Sequence, residues 1–159
     1  MMHKRLLILL ATSGLFLISA CNQDTNSPEV QIRNMVSAME TAVEQRSLDS
    51  VKGLVDSEYK DEWNGDRRAA LRALMFYFQG HQSIHLLTRI SDIQLSDDAS
   101  RASVTVYVGM TGDPVEQSES LIDLNADLYR FDIELVADDN DWLVTSAKWQ
   151  RARLENFEF

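Results

Sequence analysis

Two periodicities divide the chain. Between residues 28 and 80 apolar side chains recur at three- and four-residue spacing, and from residue 83 onward they recur at every second position. The first spacing gathers side chains on one face of a helix, and the second on one face of a strand. Ahead of both lies an apolar run over residues 6–20, preceded by Lys4 and Arg5 and followed by Cys21.

The helical half predicts three helices. Ser27-Pro28-Glu29 combines an N-cap, a proline suited to the first turn and an acid near the positive helix end. Ile32, Met35, Val36, Met39 and Val43 then form one stripe; its methionines suit an adaptable binding surface, but core packing is the simpler role. Ser47 caps a second, shorter helix with Leu48, Val51, Leu54 and Val55 as its apolar positions. Residues 56–65 break the pattern as a polar, acidic loop carrying Tyr59 and Trp63. Asp66 caps a third helix, with Leu71, Leu74, Met75 and Phe78 on one face and Gly80 as its stop.

The second half predicts an antiparallel sheet. Ile84, Leu86 and Ile90 alternate with His85 and Arg89, and Ser91-Asp92 then shifts the phase to Ile93 and Leu95, which implies a bulge or a bend. Residues 97–100 read as a turn. Ala102, Val104, Val106, Val108 and Met110 face one way; Ser103, Thr105, Tyr107 and Gly109 face the other. After a loop over residues 111–121, Tyr129, Phe131, Ile133 and Leu135 alternate with Arg130, Asp132 and Glu134. A second turn at residues 138–141 leads into the last strand, residues 142–151. Helices first and a one-sided sheet second is an α+β arrangement, with N-terminal helices packed on one sheet face.

The N-terminus changes the picture of placement. As a helix, residues 6–20 span only ~22 Å against a hydrocarbon core of ~30 Å, too short for a stable transmembrane span. Leu17-Ile18-Ser19-Ala20-Cys21 looks like a bacterial lipobox, which implies a signal peptide over residues 1–20 and lipidation of Cys21. Two membrane signals suffice for stable anchoring, so a multiply acylated cysteine would hold the chain permanently. Asn22, rather than Asp, resembles the Gram-negative sorting pattern for the periplasmic leaflet of the outer membrane. Residues 21–28 then form the lipidated cysteine and a short polar tether. Residues 22–27 reach at most ~24 Å, which keeps the domain, residues 29–153, beside the bilayer. Residues 154–159 form a tail in which Phe157 and Phe159 either pack on the domain or add a strand to a partner's edge.

Charge and cysteine use narrow the partners. The chain carries net charge −10, and Lys4 and Arg5 precede Cys21 while all 25 acids follow it. From residue 21 on, 13 basic residues face those 25 acids, a net −12. Such a domain repels phosphate backbones, so nucleic acid is a poor partner. The one cysteine excludes an intrachain disulfide, a Cys-based zinc site and a second thiol nucleophile.

Taken together, the first helix (Met35, Met39, Val43), the short helix Ser47-Leu48-Asp49-Ser50-Val51 ending in Leu54-Val55, Tyr59, Trp142-Leu143-Val144 and Trp149 resemble the nuclear transport factor 2-like superfamily, shared with ketosteroid isomerase and scytalone dehydratase. The resemblance covers most of residues 29–151. It implies a cone in which a curved sheet wraps the helices, a pocket at the open end, and homodimerisation through the outer sheet face. The fold hosts enzymes, transport factors and secretion-system parts, so it does not choose a function.

A pocket enzyme of this kind needs a buried carboxylate or imidazole whose pKa desolvation can tune. Asp132 and Glu134 lie on the polar phase of their strand and are expected to face outward near Arg130 and Lys148. The apolar phases of the other strands carry no carboxylate, so an isomerase-like or dehydratase-like site lacks support. Candidate pocket residues are Tyr59, Trp63, His81, His85 and Trp149; Tyr107, Arg130 and Asp132 are candidates for an outer partner face. His81 and His85, ~13 Å apart if extended, cannot share an ion, and residues 138–141 lack the glycine and distal glutamate of a calcium loop. No metal or cofactor is expected. The sequence thus predicts an anchored envelope lipoprotein whose cone binds a protein, a peptide or a small apolar ligand without catalysis. An accessory subunit of an envelope or secretion assembly and a pocket enzyme are the alternatives.

Overall fold

The computed structural model describes residues 26–114 and 125–157. The leader, Cys21, most of the tether and Phe159 lie outside the described residues.

Each predicted helix starts where its cap sits. Helix α1 (Pro28–Glu44) begins with Ser27 Oγ accepting Val30 N–H at 3.4 Å. Helix α2 (Leu48–Gly53) begins with Ser47 Oγ accepting Ser50 N–H at 3.3 Å. Between α2 and the third helix the sequence predicts only a loop. The chain instead folds a small hairpin, β1 (Lys60–Asp61) against β2 (Gly65–Asp66). The Asp61 carboxylate makes that turn: Oδ1 accepts Trp63 N–H at 2.7 Å and Asn64 N–H at 2.5 Å, and Gly65 takes φ +88°, which only glycine adopts without strain. Helix α3 (Arg67–Gly80) follows, with Asp66 Oδ1 accepting Ala69 N–H at 2.8 Å.

The sheet is an antiparallel meander of β3 (His85–Leu95), β4 (Arg101–Thr111), β5 (Asp127–Asp138) and β6 (Asp141–Arg151), in that spatial order. The predicted phase change falls as a bulge between Ile90 and Asp92, keeping Ile90 and Ile93 on one face. A second irregularity, opposite Glu134 and Leu135 on β6, leaves both Val144 and Ala147 on the inner face. The β3–β4 turn places Ala99 at φ 51°, and the Asp98 carboxylate there is lowered to about 2 by hydrogen bonds from Ser96 and Ser100.

The core lies between α1 and the inner sheet face. Ile32, Met35 and Val36 meet Val104, Val106, Leu135 and Val144, and Trp142 is buried with its Nε1–H donating to Gln31 Oε1 at 3.2 Å. Phe78, Ile84 and Leu86 form a second cluster. Each edge strand is tied to the helical half at one residue. On β6, Asp56 N–H donates to Val144 O and Val144 N–H to Leu54 O, each at 2.9 Å. On β3, Leu86 N–H donates to Glu44 Oε1 of α1 at 2.8 Å.

The outer face carries the C-terminal segment and one charge pairing that differs from expectation. A short 3-10 helix (Leu154–Phe157) folds back over it, and Phe157, 1% exposed, sets its ring edge-on to Tyr107 at 6.0 Å and 65°. The Arg89 guanidinium also donates to Asn156 O. Phe157 is therefore spent on its own domain rather than on a partner's edge. Arg130 and Asp132 do pair on this face at 2.8 Å, with Thr105 Oγ1 donating to the same carboxylate, but the ammonium of Lys148 reaches Glu62 at 2.9 Å instead of Asp132.

Candidate functional site

Between α1, α3 and the inner face of the sheet lies a cavity of about 490 Å³. At ~30 Å³ per water in the liquid, that is room for about sixteen waters or one small organic molecule. Its origin is in α3, where Phe78 is the one fully buried residue among the fourteen. Leu71, Leu74 and Tyr77 are partly buried and line the cavity, Leu74 and Tyr77 also packing against the Phe78–Ile84–Leu86 cluster.

The floor is apolar: Val106, Val108 and Met110 of β4, and Ile133, Val144 and Ala147 of β5 and β6. One wall is aromatic. The rings of Trp149 and Phe131 lie 6.2 Å apart, and those of Phe131 and Tyr129 again 6.2 Å apart. Trp63 extends this row outside, 6.0 Å from Trp149. Of the lining residues, Ala73 and Asp127 are exposed, which places the mouth at the start of β5. There the Asp127 carboxylate pairs with Arg151, whose guanidinium lies 4.8 Å above the Tyr129 ring centroid. Burial, with Asp127 and Tyr129 nearby, raises the Tyr77 phenol above its usual value.

Polar groups in the cavity are few. Tyr59 is buried, and desolvation followed by its bond to the Asp61 carboxylate raises its phenol well above the ordinary value. Its hydroxyl donates to Asp61 Oδ2 at 2.8 Å, and Asn64 Nδ2 donates to the same oxygen at 2.9 Å. Partial burial pushes Asp61 upward, but the bonds from Asn64, Tyr59 and Trp63 outweigh it and hold the carboxyl below its usual range. This network closes on itself. A further polar group is Glu40 of α1, whose Oε2 accepts the Thr88 hydroxyl at 2.5 Å.

The sequence candidates are divided by this geometry. Tyr59 and Trp149 line the cavity. Trp63 is 70% exposed and lies behind Trp149. His81 caps α3 outside the cavity, stacked on Tyr77 at 4.0 Å with Nδ1 against Tyr77 O at 2.8 Å. His85, at the start of β3, has Nε2 3.2 Å from Ser83 Oγ and does not line the cavity either. Among the described residues no group of three acidic, His or Cys side chains converges as a metal site. Sequence reasoning missed Glu40, although its spacing of four from Val36 and three from Val43 puts it on the inward stripe. It also missed Asp127, because β5 starts two residues before Tyr129 and keeps the same phase.

No protein-family profile and no curated protein matches the sequence. Solved structures do match. A protein assigned as a scytalone dehydratase from Novosphingobium aromaticivorans aligns with TM-score 0.63 at 10% identity, over 77% of this chain and 83% of its own. One assigned as a calcium/calmodulin-dependent protein kinase type II association domain, from Thiobacillus denitrificans, aligns at 0.61 and 13%, over 76% and 94%. One assigned as a dehydratase of the nuclear transport factor 2-like family, from Streptomyces avermitilis, aligns at 0.58 and 17%, over 77% and 95%. The chain has the nuclear transport factor 2-like fold, the α+β cone that its sequence resembles.

Proposed function

We propose that this chain is a lipid-anchored envelope protein whose cone holds a small apolar ligand without acting on it chemically. The observation that carries this reading is the cavity of about 490 Å³ with apolar residues on every wall. Removing a ligand's apolar surface from water at ~25 cal/mol per Å² supplies the affinity. A cavity of this size with its mouth at Asp127 suits a small molecule better than a peptide or a protein edge. The anchor rests on the lipobox-like Leu17-Ile18-Ser19-Ala20-Cys21, and Cys21→Ser should move the protein from the membrane to the soluble fraction.

A second reading, an enzyme, gains from Glu40, an inward carboxylate among apolar walls, and from the dehydratase assignments of two structural neighbours. It ranks lower because Glu40 has no proton-handling companion: Thr88 already donates to it, Tyr59 donates to Asp61, and no histidine lines the cavity.

The test is gentle purification of the full chain from its membranes, followed by organic extraction and mass spectrometry. A small apolar compound at near-equimolar yield is expected, and Ala147→Trp, which projects a large ring into the cavity, should reduce it severalfold. Absence of any such compound, together with no binding of added apolar probes, would remove the ligand-holding reading. A chemically altered product accumulating on incubation would favour the enzyme.

A further inference from the structure

We propose that the ligand is a lipophilic organic cation, a planar amine or ammonium whose charge sits on Glu40; this rests on the apolar-ligand reading above. Among the described residues the cavity has two charged lining residues, Glu40 and Asp127, and no lysine, arginine or histidine. They are not equivalent. Asp127 is already matched by Arg151 at the mouth. Glu40, half-buried on α1, has no ion-pair partner among the described residues. Its Oε2 takes the Thr88 hydroxyl, while no described residue donates to Oε1. Glu44, one turn along α1, adds charge of the same sign rather than compensation.

A half-buried carboxylate between apolar walls attracts a cationic group, because a charge-assisted hydrogen bond there is stronger than in open water. The wall beside the floor fits the same guest. Trp149, Phe131 and Tyr129 line the cavity from β5 and β6, across the sheet from Thr88 on β3, and offer aromatic surface for the guest's flat apolar body while its charge lies at Glu40. The net charge of −10 enriches cations around the domain before they enter. A fatty acid of equal size would bring its carboxylate against Glu40 and is excluded by the same charge.

A matched trio of probes tests this: naphthylmethylamine, naphthylmethanol and naphthoate, which share one flat apolar body and differ in charge. Each is titrated calorimetrically into the full chain held in phospholipid nanodiscs, with empty discs as the blank. The amine is expected to bind about tenfold tighter than the alcohol, and naphthoate weakest. Glu40→Gln, which keeps an oxygen for Thr88, should bring the amine to within about threefold of the alcohol measured on the same variant. The wild-type ranking decides the matter even if that variant folds poorly. Equal binding of amine and alcohol, or a preference for naphthoate, would overturn the cation assignment and leave the apolar-ligand reading standing. Failure of all three to bind would overturn both.

Discussion

Phe157→Ala is the sharpest test of how the outer sheet face is finished. The side chain is 1% exposed and its ring meets Tyr107 edge-on at 6.0 Å. Truncating a buried phenylalanine costs about 3–5 kcal/mol, of which the ring pair accounts for about 0.5–1.5. A short 3-10 helix packed over the sheet lets its neighbours relax into the vacated space, so the lower bound, about 3 kcal/mol, is expected. For a domain of this size each kcal/mol moves the melting point by about 4 °C, giving a drop of about 12 °C. Thermal unfolding by circular dichroism and urea titration should agree, with the denaturant slope unchanged. A double-mutant cycle with Tyr107→Ala should return a coupling of about 1 kcal/mol. A melting shift below about 3 °C, with no coupling, would show that the 3-10 helix does not bear on the sheet and would refute the reasoning.

Three further outcomes follow from single contacts. Asp66→Ala removes the cap of α3 and should cost about 1 kcal/mol in urea unfolding. Trp142→Phe keeps most of the buried ring but loses the bond to Gln31, and should cost about 1 kcal/mol by the same measure. Asp61 and Asp98 both have folded pKa values below the unfolded value of about 3.9. Their contribution is therefore complete above that pH and is lost as pH falls through the folded values, for Asp98 about 2. Acid titration of Asp61→Asn should show a shallower loss of stability between pH 4 and 2 than the wild type.

The elements were largely legible because each is signalled locally. Ser27, Ser47 and Asp66 cap the helices they precede, and the Ser91-Asp92 phase change marks the β3 bulge. What escaped was tertiary. The β1–β2 hairpin depends on one carboxylate, Asp61, gathering the N–H groups of its own turn, which no periodicity announces. The β6 bulge keeps alternation only after one residue is skipped. Glu40 was hidden by its own charge: reading a helix face by hydrophobicity assigns a glutamate to solvent, and only the cavity explains why it faces inward. Trp63 misled in the opposite direction, since a large ring in a loop looks like lining and here stacks from outside. Lys148 sits opposite Asp132 in register, yet a long side chain on an edge strand also reaches Glu62.

The direction of α1 sets how such a domain would be presented at a membrane. Gln31, near the start of α1, touches Trp142 at the β5–β6 turn, whereas Glu44 at its end reaches Leu86, at the sheet end where β5 starts. The mouth marked by Asp127 is therefore at the far end of a 17-residue helix, ~25 Å from where the chain enters the domain. If Cys21 is fixed in a bilayer as proposed, the Gln31 end of α1 would lie nearer the lipid and the mouth at Asp127 farther from it. An opening so placed would meet aqueous solutes before the leaflet that holds the anchor. Lengthening the tether would alter its reach without changing what it meets.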